Sequence, residues 1–232
     1  MQFQIIDLGL LHYKKAWDFQ KEIFLALKYR NLASALILCQ HYPVITLGRK
    51  ADKRNILINE SELKLRRIGR YEIERGGDVT YHGPGQLIAY PIFDLNYLKK
   101  DINFFLRCLE ETIIKLLRGF GVEGERIPGL TGVWIDKQKI ASIGIAIKNW
   151  ITFHGLSINI KKNDLANFRL IRSCGMDIEM TSLETVLERD IEIKEAKEKL
   201  INSFRVVLSP EAGTFLHPKQ RVSPERDTLL IS

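Results

Sequence analysis

Cys174 lies in Ile171-Arg172-Ser173-Cys174-Gly175-Met176, between a serine and a glycine and outside any apolar periodicity. A thiol in such a short polar-to-glycine stretch can act as a nucleophile. Upstream, residues 75–86 read RGGDVTYHGPGQ, four glycines and a proline around Asp78, Tyr81 and His82. Glycine lets backbone amides come close to a substrate, and each amide aimed at a developing oxyanion is worth ~10²–10³ in rate. The two segments together suggest covalent acyl chemistry. The loop is neither GxGxxG between a strand and a helix nor a GK[ST] phosphate loop, so no dinucleotide or triphosphate cradle is signalled.

A thiol of ordinary pKa, about 8.5, is roughly 3% ionised at pH 7. Lowering that pKa by about 1.5 units makes it half ionised and takes ~2 kcal/mol of net stabilisation of the anion, which one nearby cation shielded from water can supply. Lys139, His82 and His154 are the candidates for a partner. Lys139 opens an alternating run with Ala141 and Ile143 on its own face, and by itself reads as a solvated lysine at a turn. An isolated histidine is more often a structural hydrogen-bonder than a base. The other two thiols are poor nucleophiles: Cys39 sits in the apolar run LILCQ, and Cys108 lies beside the apolar stripe of a helix.

The elements that must position these groups follow from periodicity. Residues 3–8 form a strand and 14–31 a helix, with Trp17, Ile23, Phe24, Leu27 and Tyr29 available for burial. ALILCQH and PVITLG are two short strands separated by Pro43, and a short helix near 60–68 starts after Asn59 or Ser61. Residues 70–75 and 86–93 are strands flanking the glycine-rich loop. Asp101 caps a helix with the stripe Phe105, Leu109, Ile113, Leu116 and Phe120, ended by Gly119 and Gly121. GVWID, KIASIGIAIK and ITFHGLSINI form a meander with turns at 136–138 and 148–150, and 182–189 and 193–206 are helices. Strands and helices segregate, which argues an α+β fold: one domain of mixed, largely antiparallel sheets flanked by helices. Residues 1–208 are expected to form the catalytic domain and 209–232, polar and proline-containing, a tail or peripheral extension.

The 232 residues, 45% hydrophobic, suffice for one domain with a real core. No run approaches the roughly 18 apolar residues of a membrane span, and the N-terminus lacks the layout of a secretory signal. Three cysteines without CxxC spacing give no metal site and fit a reducing cytoplasm. The net charge of +7 favours acidic partners. It does not indicate nucleic acid, because the basic residues are scattered and aromatic residues do not interleave with them.

RGGDVTYHGPGQLIAYPI, at 75–92, closely resembles the signature of the lipoyl(octanoyl) transferases. HYPVITLGR at 41–49, TGVW at 131–134, KIASIG at 139–144, FHGLSIN at 153–159 and SCGM at 173–176 match further motifs in the same order, and the likeness runs from about residue 3 to 207. The resemblance implies the fold of the biotin and lipoate-protein ligase catalytic domains. It makes Cys174 the acyl-thioester nucleophile and Lys139, rather than either histidine, its partner. The family's substrate-facing residues fall on Arg75, Gly76, Gly77, Asp78, Val79, Thr80, Tyr81 and His82, on Ser142, Ile143 and Gly144, and on His154, Gly155, Leu156 and Ser157; Asp78 carries no catalytic duty.

Implied with it is an octanoyl donor on the phosphopantetheine of acyl carrier protein, with no ATP, metal or other cofactor. The implied acceptors are lysines on lipoyl domains of 2-oxoacid dehydrogenase complexes and on the glycine cleavage H protein. A cytoplasmic monomer with ping-pong kinetics is expected. The alternatives are an ATP-dependent lipoate-protein ligase, which needs no cysteine, and a cysteine amidotransferase acting between lipoyl domains.

Overall fold

The computed structural model describes residues 2–29, 34–173 and 178–209. A six-stranded sheet runs in the order β1 (Gln4–Leu11), β2 (Ala35–His41), β6 (Gln86–Ile92), β9 (Ile151–Asn159), β8 (Gln138–Lys148), β7 (Val133–Ile135). β1 and β2 are parallel and the other neighbours antiparallel. A three-stranded sheet sets β3 (Val44–Leu47) between β4 (Gly69–Glu72) and β5 (Val79–His82). The architecture is the mixed α+β arrangement expected from the segregation of elements.

β2 and β6 are near-continuous apolar runs because both faces of the large sheet are covered. Leu36, Leu38, Leu87 and Ala89 face one helical layer, formed by α3 (Ile102–Arg118) and α5 (Ile193–Val207). Their alternating neighbours Ile37, Cys39, Ile88 and Tyr90 face α1 (Tyr13–Lys28) on the other side. The Asp101 carboxylate caps α3 by accepting from Phe104 N at 3.0 Å, and Phe105, Leu109, Ile113 and Leu116 are buried as the stripe requires. Asn59 likewise caps α2 (Glu60–Leu65).

Three details differ from expectation. α1 stops at Lys28, leaving Tyr29 at its C-cap 65% exposed rather than buried. The strand expected at 70–75 ends at Glu72, because residues 75–78 bend against the loop after β3. The second half of the glycine-rich segment is itself a strand: β-branched and aromatic residues at 79–82 pair with β3 in the register Leu47↔Val79 to Val44↔His82. The meander is as expected, and its tight turns carry Asp136 and Lys137, then Asn149 and Trp150, all at positive φ. Two consecutive left-handed residues match the twist of the strands they join. α4 (Leu183–Leu187) precedes α5, and Pro210 onward lies outside the described residues.

Candidate active site

The β8–β9 hairpin brings two expected binding segments into direct register, pairing Ser142 with Ser157, Ile143 with Leu156 and Gly144 with Gly155. Gly155 has no room for a side chain, since a Cβ there would overlap the carbonyl of Ala89 on β6. The glycine-rich loop is fastened across the end of this ladder. Gly76 N donates to Ile145 O at 2.8 Å, while Arg49 N and Lys50 N donate to Arg75 O and Gly77 O at 2.9 and 3.1 Å. The buried Arg75 guanidinium donates through Nη2 to Thr46 O at 2.7 Å and through Nε to Thr46 Oγ1 at 3.2 Å. Its aliphatic stem lies over Gly144.

Arg75, Thr80 and Ser142–Gly144 are the wall shared by two neighbouring spaces. The inner pocket, about 50 Å³, is walled by His82, His154, Gly155, Leu156 and Ser157, with Tyr13, Ile73, Ile88 and Tyr90 behind them. The outer groove, about 520 Å³, lies within the size range of small-ligand sites. Its walls are the loop residues Arg75–Thr80, Ile102 and Leu106 of α3, and Gly129–Thr131, with Lys139, Ile145 and Ser173. Lys139 is 5% exposed, and its Nζ sits 5.0 Å from the centre of the Trp134 ring. Its backbone pairs on both sides with the segment beyond residue 177: Lys139 N donates to Glu179 O at 2.8 Å and Thr181 N to Lys139 O at 3.0 Å.

Electrostatics separate the two spaces. Burial, assisted by neighbouring His41, pushes His82 down to about 3, and its Nδ1 meets Gln86 Oε1 at 3.0 Å. Burial also lowers His154, against the opposing pull of Glu74. Glu74 is itself held down to about 2, chiefly by its hydrogen bond with His154. The two shifts agree on a neutral imidazole donating from Nε2 to a carboxylate at 3.3 Å, with Tyr13 OH donating to Nδ1 at 3.5 Å. His41, pushed down to about 4 by burial, donates from Nδ1 to Leu11 O and accepts from Tyr90 OH at 2.7 Å. The histidines of the inner pocket are therefore neutral, hydrogen-bonded rings; Arg75 borders both spaces, and the Lys139 amine belongs to the outer groove alone.

This architecture is shared with known proteins. The family model "Lipoyl protein ligase A/B catalytic domain" matches residues 12–205. The octanoyltransferase of Cytophaga hutchinsonii is 40% identical over 215 residues, covering 84% of this chain and 88% of its own. That of Thermoanaerobacter sp. X514 is 42% identical over 207 residues, covering 88% and 89%. The chain belongs to this family. Among solved structures, a lipoate-protein ligase A bound with ATP superposes with a TM-score of 0.71 at 16% identity, covering 90% of this chain and 86% of that one. A putative lipoate protein ligase from T. acidophilum with bound lipoic acid gives 0.69 at 15%, covering 90% and 86%. These two likenesses concern the fold.

Within the family fold, most of the residues singled out in the sequence converge on the two spaces. Arg75, Gly76, Gly77, Val79, Thr80, His82, Ser142, Ile143, Gly144, His154, Gly155, Leu156, Ser157 and Lys139 all line one or both. Asp78 borders the groove, but its carboxylate accepts from Asp52 N at 3.0 Å, Val79 N at 2.8 Å and Asn55 Nδ2 at 2.5 Å, which ties the loop down. Tyr81 alternates to the other face of β5, where its hydroxyl donates to Asp164 Oδ2 at 2.8 Å and its ring packs on Phe168; it lines neither space. Cys174, Gly175 and Met176 lie outside the described residues.

Several residues in or behind the walls carried no signal of their own. Tyr13 and Glu74 reach His154 from elements remote in sequence, and Ile102 and Leu106 look like any apolar helix positions. Trp134 and Thr131 sat in the matched TGVW segment without an assigned task.

Proposed function

We propose that this chain is an octanoyltransferase of protein lipoylation, an acyltransferase working through a thioester on Cys174. One observation carries the proposal: Lys139 and Ser173, the residue one peptide before Cys174, wall the same outer groove, while both histidines wall the inner pocket. Consecutive Cα atoms are about 3.8 Å apart, which supports a nucleophile at position 174 reaching the groove that Ser173 walls. A few residues beyond Cys174 in sequence, Glu179 O and Thr181 N bond to the backbone of Lys139, which also supports the pairing.

In the first half-reaction the Cys174 thiolate attacks the carbonyl of an octanoyl thioester on the carrier protein's phosphopantetheine. The carrier thiolate leaves and takes a proton, which the Lys139 ammonium can supply. In the second, the ε-amine of a lipoyl-domain lysine attacks the enzyme thioester, expelling the Cys174 thiolate and losing a proton to Lys139. Exchange of one thioester for another is near balance and amide formation is downhill, so no ATP is consumed. Residues of the glycine-rich loop and Ser142–Gly144 wall the groove, and their amides, apart from that of Gly76, which is taken by Ile145 O, would be the donors to a bound carbonyl oxygen. Ile143, which walls both spaces, and Leu156 of the inner pocket supply apolar surface for the far end of a medium chain. The net charge of +7 suits acidic carrier and lipoyl domains.

The test is intact-protein mass spectrometry after mixing with octanoyl-loaded carrier protein. One hydroxylamine-labile octanoyl adduct is expected, absent from Cys174→Ser and discharged by a lipoyl domain. An adduct that persists in Cys174→Ser puts the nucleophile elsewhere.

A further inference from the structure

We infer that Glu110 of α3 is a positioning residue for Lys139, acting through the backbone of Gly132; the inference rests on the role proposed for Lys139. Glu110 is fully buried on a helix whose other inward residues are almost all apolar. A carboxylate in such a place is costly unless its oxygens are matched, and here both are. Oε2 accepts from Arg107 Nη1 at 2.5 Å and Arg126 Nε at 3.0 Å, and Oε1 accepts from Gly132 N at 3.3 Å. Residues 126–132 are thereby clamped to α3 at both ends, and the middle of this loop, Gly129–Thr131, is a wall of the outer groove.

The clamp bears on Lys139 through close contact. Gly132 has φ 139°, and a Cβ there would lie 2.8 Å from Lys139 Cε and 2.6 Å from Ala141 O. On the other side the Trp134 ring lies 5.0 Å from Lys139 Nζ, and Trp134 N is itself held by Glu125 O at 2.9 Å. The lysine stem thus passes between a glycine backbone bonded to Glu110 and the buried Trp134 indole. When one carboxylate oxygen becomes an amide NH2, as in Glu110→Gln, either Gly132 N–H or the two guanidinium groups face a donor in place of an acceptor, which frees the wall to move away from the amine.

The test is competitive acylation of lysines by trace acetic anhydride, mapped by mass spectrometry, which needs no catalysis. Exposed Lys148, on the same strand, and Lys197, ion-paired to Asp7 at 2.6 Å far from the groove, serve as references. In Glu110→Gln, Lys139 is expected to label at least threefold faster relative to both references. The rate of octanoyl-adduct formation should fall at least tenfold with the donor KM changed less than twofold. Gly132→Ala, which crowds Lys139 with Glu110 intact, should lower the adduct rate as well, and the double variant should be no worse than the poorer single one. If Glu110→Gln does not fold, Glu110→Asp, which keeps the charge but retracts it from Gly132, is read in the same way.

Unchanged relative labelling of Lys139, or a rise shared by Lys197, overturns the inference. Failure of the functional proposal looks different: Lys139→Met would leave adduct formation intact, whatever the labelling shows.

Discussion

Replacing Lys139 with methionine keeps the length of the side chain and removes its charge. Because Lys139 is only 5% exposed, its field is poorly screened by water. At an effective dielectric of about 20, two unit charges interact with ~2 kcal/mol out to about 8 Å. That energy equals about 1.5 pKa units, enough to bring a thiol of ordinary pKa near 8.5 to about 7. The proposed pairing therefore requires the Cys174 sulfur to come within about 8 Å of the Lys139 ammonium.

Iodoacetamide alkylation across pH should therefore show Cys174 titrating near pH 7 in the parent and near 8.5 in Lys139→Met. The midpoint is the proper readout, not the rate at one pH. The thiolate fraction at pH 7 drops about fifteenfold, but a thiolate of higher pKa is intrinsically about fivefold more reactive, so the rate alone changes only about threefold. The other thiols stay silent under native conditions: Cys39 and Cys108 are 0% and 1% exposed, and burial raises both, Cys108 to about 12. A midpoint that does not move in Lys139→Met, but does move in His154→Ala, would refute the assignment of Lys139.

Two further outcomes follow from the walls of the site. In Gly144→Ala the new methyl would lie 2.9 Å from Arg75 Cδ and 3.2 Å from Gly76 O, at the wall shared by groove and pocket. Overpacking of this kind costs ~1–3 kcal/mol, so kcat/KM for an octanoyl donor should fall about fivefold or more and for a butanoyl donor much less; equal losses would show that this wall does not meet the chain. The buried histidines set the acid limit of stability. His41 and His82 titrate at about 4 and 3 in the fold but near 6.5 when unfolded, so between these values the unfolded chain binds more protons and stability falls as pH falls. At pH 5 the loss is at most ~2 kcal/mol per histidine relative to neutral pH. Urea midpoints should drop from pH 7.5 to pH 5, and drop less in His82→Gln; parallel declines in the two proteins would count against the buried-histidine account.

How far the site could be read from sequence depends on how local its determinants are. The meander and the α3 stripe were legible because period and turn chemistry are local, as Asn149 and Asp136 at their left-handed turn positions show. The strand β5 was not, because its four residues sit inside a glycine cluster and owe their conformation to pairing with β3. Tyr81 shows the same limit at the level of a side chain. Its neighbours Thr80 and His82 face the cavity, and period-two alternation then turns Tyr81 to the opposite face, which a motif match alone does not state. The burial of Lys139 needed three dimensions, since Gly132, Trp134 and residues 179–181 come together on it from separate segments.

The register of one hairpin governs the chemistry of both spaces. A slip of one residue along β8 would exchange the small residues Ser142 and Gly144 for Ile143 on the face that meets Arg75, crowding the shared wall. Pairing from Ala141↔Ile158 to Lys148↔Ile151 is held at one end by the left-handed pair Asn149–Trp150. Beside the site it is held by Gly155, which admits the carbonyl of Ala89 so closely that no other residue could be substituted without moving β6 or β9. The same register carries Lys139, three residues before Ser142, to the mouth of the groove beside Trp134. A turn remote from the groove therefore helps decide whether Lys139, the small residues Ser142 and Gly144 and the glycine-rich loop meet there, and the strand pairing is the condition on which the single side chains of the site can act.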